Sequence, residues 1–131
     1  VKDAVEYLDN LAQDAGDNPQ LQHELANAYL QVGKLQGSSY FANLGESDEA
    51  LKSYNKSAEI FEQLLKKEPK NIEYLRNYET TLDQKVLLLN RQNNWREAEA
   101  TANKLLEINQ RLIDLEPDNP TFKINRSRAF N

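Results

Sequence analysis

The chain has 131 residues, enough for one ordinary domain with a continuous core, and a net charge of −5. Four Gly, four Pro and a wealth of Leu, Ala, Glu, Lys, Gln and Asn describe a helical protein, and the acidic balance argues against nucleic acid, which needs a basic face. Cysteine is absent, which excludes disulfides and thiolate metal sites, and no apolar run approaches the roughly 18–20 residues that span a bilayer. Met is absent too, and the start at Val1 reads as a piece cut from something longer, although processing gives the same picture.

Six helices are expected in chain order. The first, Lys2–Ala15, places Val5, Leu8, Ala12 and Ala15 on one stripe and ends at Gly16, where helices favour φ > 0. Asn18-Pro19 reads as an N-cap followed by Pro at the first helical position. The second helix then carries Leu21, Leu25, Ala28, Tyr29 and Val32 at a 3.6-residue period and runs to about Gln36. The stretch from Gly37 to Gly45 is the one long connection, and Tyr40, Phe41 and Leu44 suggest that it packs down on the helices. Ser47, followed by Asp48 and Glu49, is the expected cap of a third helix that Pro69 stops near Lys67. The fourth runs from Ile72 to about Gln92 on Leu75, Tyr78, Leu82, Val86 and Leu89. Asn94-Trp95-Arg96-Glu97 opens the fifth with a capping-box-like start, and Asn119-Pro120 begins a sixth.

The segment Ala50–Asn71 returns 48 positions later as Ala98–Asn119, with nine of 22 positions identical. Self-similarity at this period means one supersecondary unit copied in tandem, here a helical hairpin, and predicts an all-α solenoid that offers surface rather than a reactive cleft. The boundaries are an N-terminal helix over 1–16, hairpins over 18–69 and 71–117, and the start of a further helix over 119–131. Phe122, Ile124, Ala129 and Phe130 leave that last helix apolar, as expected if another repeat follows or copies stack in trans.

Leu25-Ala26-Asn27-Ala28-Tyr29, then Gly33, then Ala50, Tyr54, Ser57 and Pro69 resemble the tetratricopeptide repeat (TPR): Leu, small residue, Tyr and Gly on one helix, then Ala, aromatic, small residue and Pro across the next. Leu82 to Ala98 is seven residues longer than that pattern, and so are Ala50 to Pro69 and Ala98 to Pro117. Seven residues are close to two helical turns, so the arms lengthen with their buried faces in phase. The second unit departs at Glu79, Leu105 and Leu106, where small residues are usual, so looser or rotated packing is expected there. The first 60 or so residues, with Asn43-Leu44-Gly45 the most specific element, are also similar to the helical-repeat region that follows the membrane segment of some large bacterial serine/threonine protein kinases. That resemblance implies an accessory sensory or docking region of a signalling protein. It would be extracytoplasmic if it follows a kinase membrane segment and cytoplasmic otherwise.

Chemistry is hard to find. His23-Glu24-Leu25-Ala26-Asn27 lacks the second histidine of an HExxH zinc motif, no Gly-rich phosphate loop is present, and His23 has no Ser or Cys nucleophile placed by motif. No catalytic residue, metal or cofactor is expected. The glycosylation-like triplets Asn55-Lys56-Ser57 and Asn125-Arg126-Ser127 fall within expected helices and read as chance matches. Trp95 is expected to close a hairpin tip over Leu89 or Asn93. Tyr40 and Phe41 either seal the long connection or offer an aromatic contact to a partner, and both readings stay open.

The TPR resemblance further implies a concave face built from the first helix of each hairpin. On the family's positions this gives Gln20, His23, Glu24, Asn27, Leu30 and Gln31, then Glu73, Arg76, Asn77, Thr80, Asp83 and Gln84. Among them His23, Asn27, Gln31, Arg76, Asn77 and Thr80 are the candidate contacts to an extended peptide. The likeness to the clamp of chaperone-binding TPRs is partial, because His23 stands where Lys is expected. The functional expectation is a non-catalytic protein- or peptide-binding module, with a self-associating structural spacer as the alternative.

Overall fold

The computed structural model describes residues 2–38 and 44–123. They form five complete helices, α1 (Lys2–Ala15), α2 (Pro19–Ser38), α3 (Leu44–Lys67), α4 (Ile72–Arg91) and α5 (Trp95–Leu115), and a sixth helical segment opens at 120–123. No strand occurs among the described residues. Packing follows chain order: α1 lies on α2, α2 on α3, and α4 on α5. The chain divides into two compact units, Val1–Pro69 and Lys70–Asn131.

In the first unit, Gly16 adopts φ +55 after α1, and the Asn18 side chain accepts from the Leu21 amide at 3.1 Å, so the turn forms as its residues demand. One apolar cluster joins Leu8 and Ala15 to Leu25, Tyr29 and Val32, flanked by Val5, Leu11, Leu21, Ala28 and Ile60. The expected stripe on α1 is corrected at one position: Ala12 is exposed and Leu11 packs inward instead. At 100° per residue, Leu11 and Ala12 lie equally far from the Leu8–Ala15 line on opposite sides, and the larger Leu11 side chain gains more from burial.

α2 is buried on two sides, because it lies between α1 and α3. Besides Leu25, Tyr29 and Val32 it buries Ala26, Leu30, Gly33, Gln36 and Gly37. At Gly33, α2 lies close against the Tyr54 ring of α3. A Cβ placed there would stand 2.5 Å from Tyr54 Cε1 and 2.7 Å from Cδ1, so only glycine allows the ring to lie against the backbone. Nearby, the buried Ser53 hydroxyl donates to Gln36 Oε1 at 2.8 Å.

Two expected boundaries move. α2 continues through Gly37 to Ser38, and α3 begins at Leu44, so Ser47 lies inside the helix rather than capping it. A Ser cap stabilises by about 1 kcal/mol, too little to halt a helix whose preceding residues can extend its ladder. Tyr40 and Phe41 lie outside the described residues, as do Ile124, Ala129 and Phe130.

In the second unit, Asn71 caps α4 by accepting from the Tyr74 amide at 3.0 Å, and Asn94 caps α5 through the Glu97 amide at 3.5 Å. Asn93 takes the left-handed conformation (φ 59) that asparagine tolerates, and the Asn94 amide reaches back to the Leu89 carbonyl at 2.9 Å. α4 buries Tyr74, Leu75, Tyr78, Leu82, Leu88 and Leu89, and α5 buries Ala98, Thr101, Leu105, Ile108 and Leu112. Val86 is only half-buried.

The 48-residue repeat is visible in burial as well as identity. Ala50, Ser53, Ser57, Phe61 and Leu64 are buried on α3, and their counterparts Ala98, Thr101, Leu105, Asn109 and Leu112 are buried on α5. The repeated face is therefore held in register even where its residues differ.

Candidate functional site

Asn71 fixes the start of α4, and helical periodicity then places Glu73, Arg76, Asn77 and Thr80 along a single face. With Ile72, Glu79, Thr121 and Phe122 these residues line a groove of about 580 Å³. Arg76 is exposed, and its guanidinium makes no ion pair among the described residues. The Thr80 hydroxyl donates to the Arg76 carbonyl at 3.1 Å, which leaves its oxygen as an acceptor toward the groove. The wall thus offers a planar cationic fork, a carboxamide, a hydroxyl and the carboxylate of Glu73. Such groups can hydrogen-bond a polar ligand.

Glu79 is the surprise of this site. Sequence comparison marks it as a departure from a small-residue position, and the structure buries it at 8% exposure. Asn109, which occupies the repeat position of Phe61, donates from Nδ2 to Glu79 Oε2 at 2.7 Å and to the Phe122 carbonyl at 3.1 Å. An amide here answers a carboxylate, so two unusual residues at related positions explain each other. Asn109 Oδ1 is buried without a partner. The sequence signals for this pair are separate: Glu79 stands where the TPR resemblance expects a small residue, and Asn109 where the 48-residue repeat has Phe61.

In the first unit, His23 and Asn27 are half-buried on α2, with Asn27 Nδ2 3.2 Å from His23 Nε2. The His23 ring stands edge-on to Phe61 of α3, centroids 6.1 Å apart, so the imidazole is partly committed to the hairpin. Gln31 is exposed one turn further on. Leu30, counted among the groove positions, is instead buried at 3% exposure, because α2 has a second packed side. An opening of about 560 Å³ in this unit lies elsewhere, between Val5 and Glu6 on α1, Leu35 and Gln36 on α2, and Glu46 and Glu49 on α3. His23, Asn27 and Gln31 do not line it.

A second arrangement was not anticipated. The Tyr29 hydroxyl donates to Asp9 Oδ1 at 2.5 Å, and Lys56 Nζ donates to the same oxygen at 2.8 Å while lying 5.5 Å from the Tyr29 ring centre. Three helices meet at one carboxylate oxygen. Burial pushes the Asp9 carboxyl up, but the Lys56 ammonium and Tyr29 hydroxyl outweigh it and hold the group below its usual range. Burial and the adjacent Asp9 charge push the Tyr29 hydroxyl well above its ordinary value. Asp9 and Tyr29 are 20 residues apart and Asp9 and Lys56 are 47, which no local pattern reveals.

Trp95 corrects an expectation. It is 62% exposed at the first position of α5 and does not close the hairpin tip. With Asn94 as cap, the side chain at the first helical position projects outward ahead of the buried stripe, which begins at Ala98. Of the triplet Asn55-Lys56-Ser57, Ser57 is fully buried inside α3.

Among the described residues there is no group of three or more His, Cys, Asp or Glu side chains placed to hold a metal ion, and no helix is long and apolar enough to cross a membrane. No family model matches the chain, and neither a curated protein nor a solved structure does.

Proposed function

We propose that this chain is a non-catalytic protein-interaction module in which the α4 face of the second unit receives an extended polar segment of a partner protein. The observation that carries the reading is that Arg76, Asn77 and Thr80, selected from sequence as partner contacts, line one groove of about 580 Å³. A TPR-like ancestry is supported by two local features. They are the glycine-against-tyrosine approach of α2 and α3 and the burial register shared by α3 and α5. In this reading the chain serves as an accessory region of a larger bacterial signalling protein and supplies a rigid surface rather than a reaction. Arg76 anchors the partner by a charge-assisted hydrogen bond, and Asn77 and Thr80 pair with its backbone.

The test is selection of a displayed peptide library on the full chain, followed by amide chemical-shift mapping with the peptides recovered. Shifts should centre on Arg76, Asn77 and Thr80, and Arg76→Ala should weaken binding roughly tenfold, as the loss of one charged hydrogen bond implies. Failure to enrich any peptide, or peptides that bind Arg76→Ala undiminished, would remove this groove as the binding surface.

A further inference from the structure

We propose that Asn109 is a positioning residue for the groove along α4. Its buried amide holds the Thr121–Phe122 wall at a fixed place against α4, and a partner segment binds well only with that wall in place. The proposal rests on the reading of this groove as the partner surface and goes beyond it, because Asn109 itself does not line the groove.

The groove has two walls from distant parts of the chain. α4 supplies one, from Ile72 to Thr80, and the opening turn of the sixth helical segment supplies the other, Thr121 and Phe122. Within that turn the conformation is set locally, since Asn119 Oδ1 accepts from the Thr121 amide at 3.0 Å. A local turn does not decide where the segment sits. The Phe122 ring is buried, but burial of a ring is non-directional and leaves it free to slide or rotate against its neighbours. Direction comes from Asn109 on α5. Its Nδ2 donates to Glu79 Oε2 at 2.7 Å and to the Phe122 carbonyl at 3.1 Å, so one planar amide reaches both walls at once.

Stability alone does not account for this amide. An apolar residue at 109, like Phe61 at the related position, and a small residue at 79 would fill the same space with no polar atom to satisfy. Instead Asn109 is 1% exposed, and its Oδ1 has no hydrogen-bond partner. An unsatisfied buried acceptor lowers stability, whereas replacing both members of a buried polar pair by apolar groups of similar shape is often neutral or stabilising. What the amide adds is direction: two bonds from one rigid plane fix the height and rotation of the Phe122 backbone relative to Glu79. A wall already in place need not be ordered when the partner arrives, so affinity rises without a further contact.

The double variant Glu79→Ala with Asn109→Leu removes the amide and nearly conserves buried volume. It should unfold at the denaturant midpoint of the wild type or a higher one. On the free full chain, residual dipolar couplings of Thr121 to Lys123 should fit one alignment with α4 and α5 in the wild type and depart from it in the double variant. Peptides selected on the wild-type chain should bind the double variant roughly tenfold more weakly. Glu79→Gln keeps an acceptor oxygen for Asn109 while removing the charge, and should retain both the couplings and the binding. Unchanged couplings or unchanged peptide affinity in the double variant would overturn the proposal. So would an equal loss of affinity in Glu79→Gln, which would trace the effect to the Glu79 charge rather than to the wall. A double variant that fails to fold would do the same, since the amide would then serve folding itself. A library that enriches no peptide would refute the binding reading, whereas the couplings test the placement by themselves.

Discussion

Gly33→Ala tests the packing of the first hairpin with a single methyl group. In an isolated helix the change is favourable by about 1 kcal/mol, because alanine loses less backbone freedom than glycine. Here the new Cβ would stand 2.5, 2.7 and 3.2 Å from Tyr54 Cε1, Cδ1 and Cζ. Tyr54 is 2% exposed, so its ring cannot turn into solvent to make room. Overpacking of this kind typically costs about 1–3 kcal/mol even after relaxation, and a contact at 2.5 Å with a ring edge belongs at the upper end. The clash therefore exceeds the propensity gain, for a net loss of about 1–2 kcal/mol.

Urea titration followed by circular dichroism should show a lower midpoint with an unchanged slope, since the same surface is exposed on unfolding. The pair Gly33→Ala and Tyr54→Leu should couple: with the ring removed, the alanine should become neutral or stabilising, a difference of about 1 kcal/mol or more in the double-mutant cycle. A Gly33→Ala chain more stable than wild type, or an effect of the same size with and without the Tyr54 ring, would refute the claim that close helix approach is why glycine stands there.

Two further outcomes follow from the polar contacts. Asp9 has a folded-state pKa below its ordinary 3.8, so its contribution is fully present above that value and fades as pH falls through the depressed one. Tyr29 is raised above its ordinary 10.0, so its contribution is complete below that value and fades as pH climbs through the raised one. Unfolding followed across pH should show α1 loosening at both extremes, and Asp9→Asn should flatten the acid limb; an acid limb identical in the variant would count against the contact. In the second unit, Asn109→Ala would remove the amide that donates to the buried Glu79 carboxylate and to the Phe122 carbonyl, at a cost of about 1–3 kcal/mol. Thermal unfolding measures it, and a loss below about 0.5 kcal/mol would mean that the pair contributes little.

What could be read directly from the residues was local or periodic. The helices, the asparagine caps at 18 and 94, the glycine turn at 16 and the tandem hairpin all follow from spacing and backbone preference, which act within a few residues. The row Arg76, Asn77 and Thr80 was legible for the same reason, since one helical face is a matter of counting. Burial of Leu30 was not legible: counting along one face places it toward the groove until a third helix is known to lie there. The extension of α3 back to Leu44 likewise turned on a helix continuing past an adequate cap.

The amino-acid sequence by itself determined an all-α chain and the repeated hairpin, because hydrophobic period and turn chemistry are properties of neighbours. Only the tertiary structure decided that Asp9, Tyr29 and Lys56 meet, that Asn109 answers Glu79, and that Trp95 stands in solvent. Each of these depends on side chains brought together, or left apart, by the packing of whole helices. That packing is governed by shape and desolvation over tens of residues, which no short window of sequence contains.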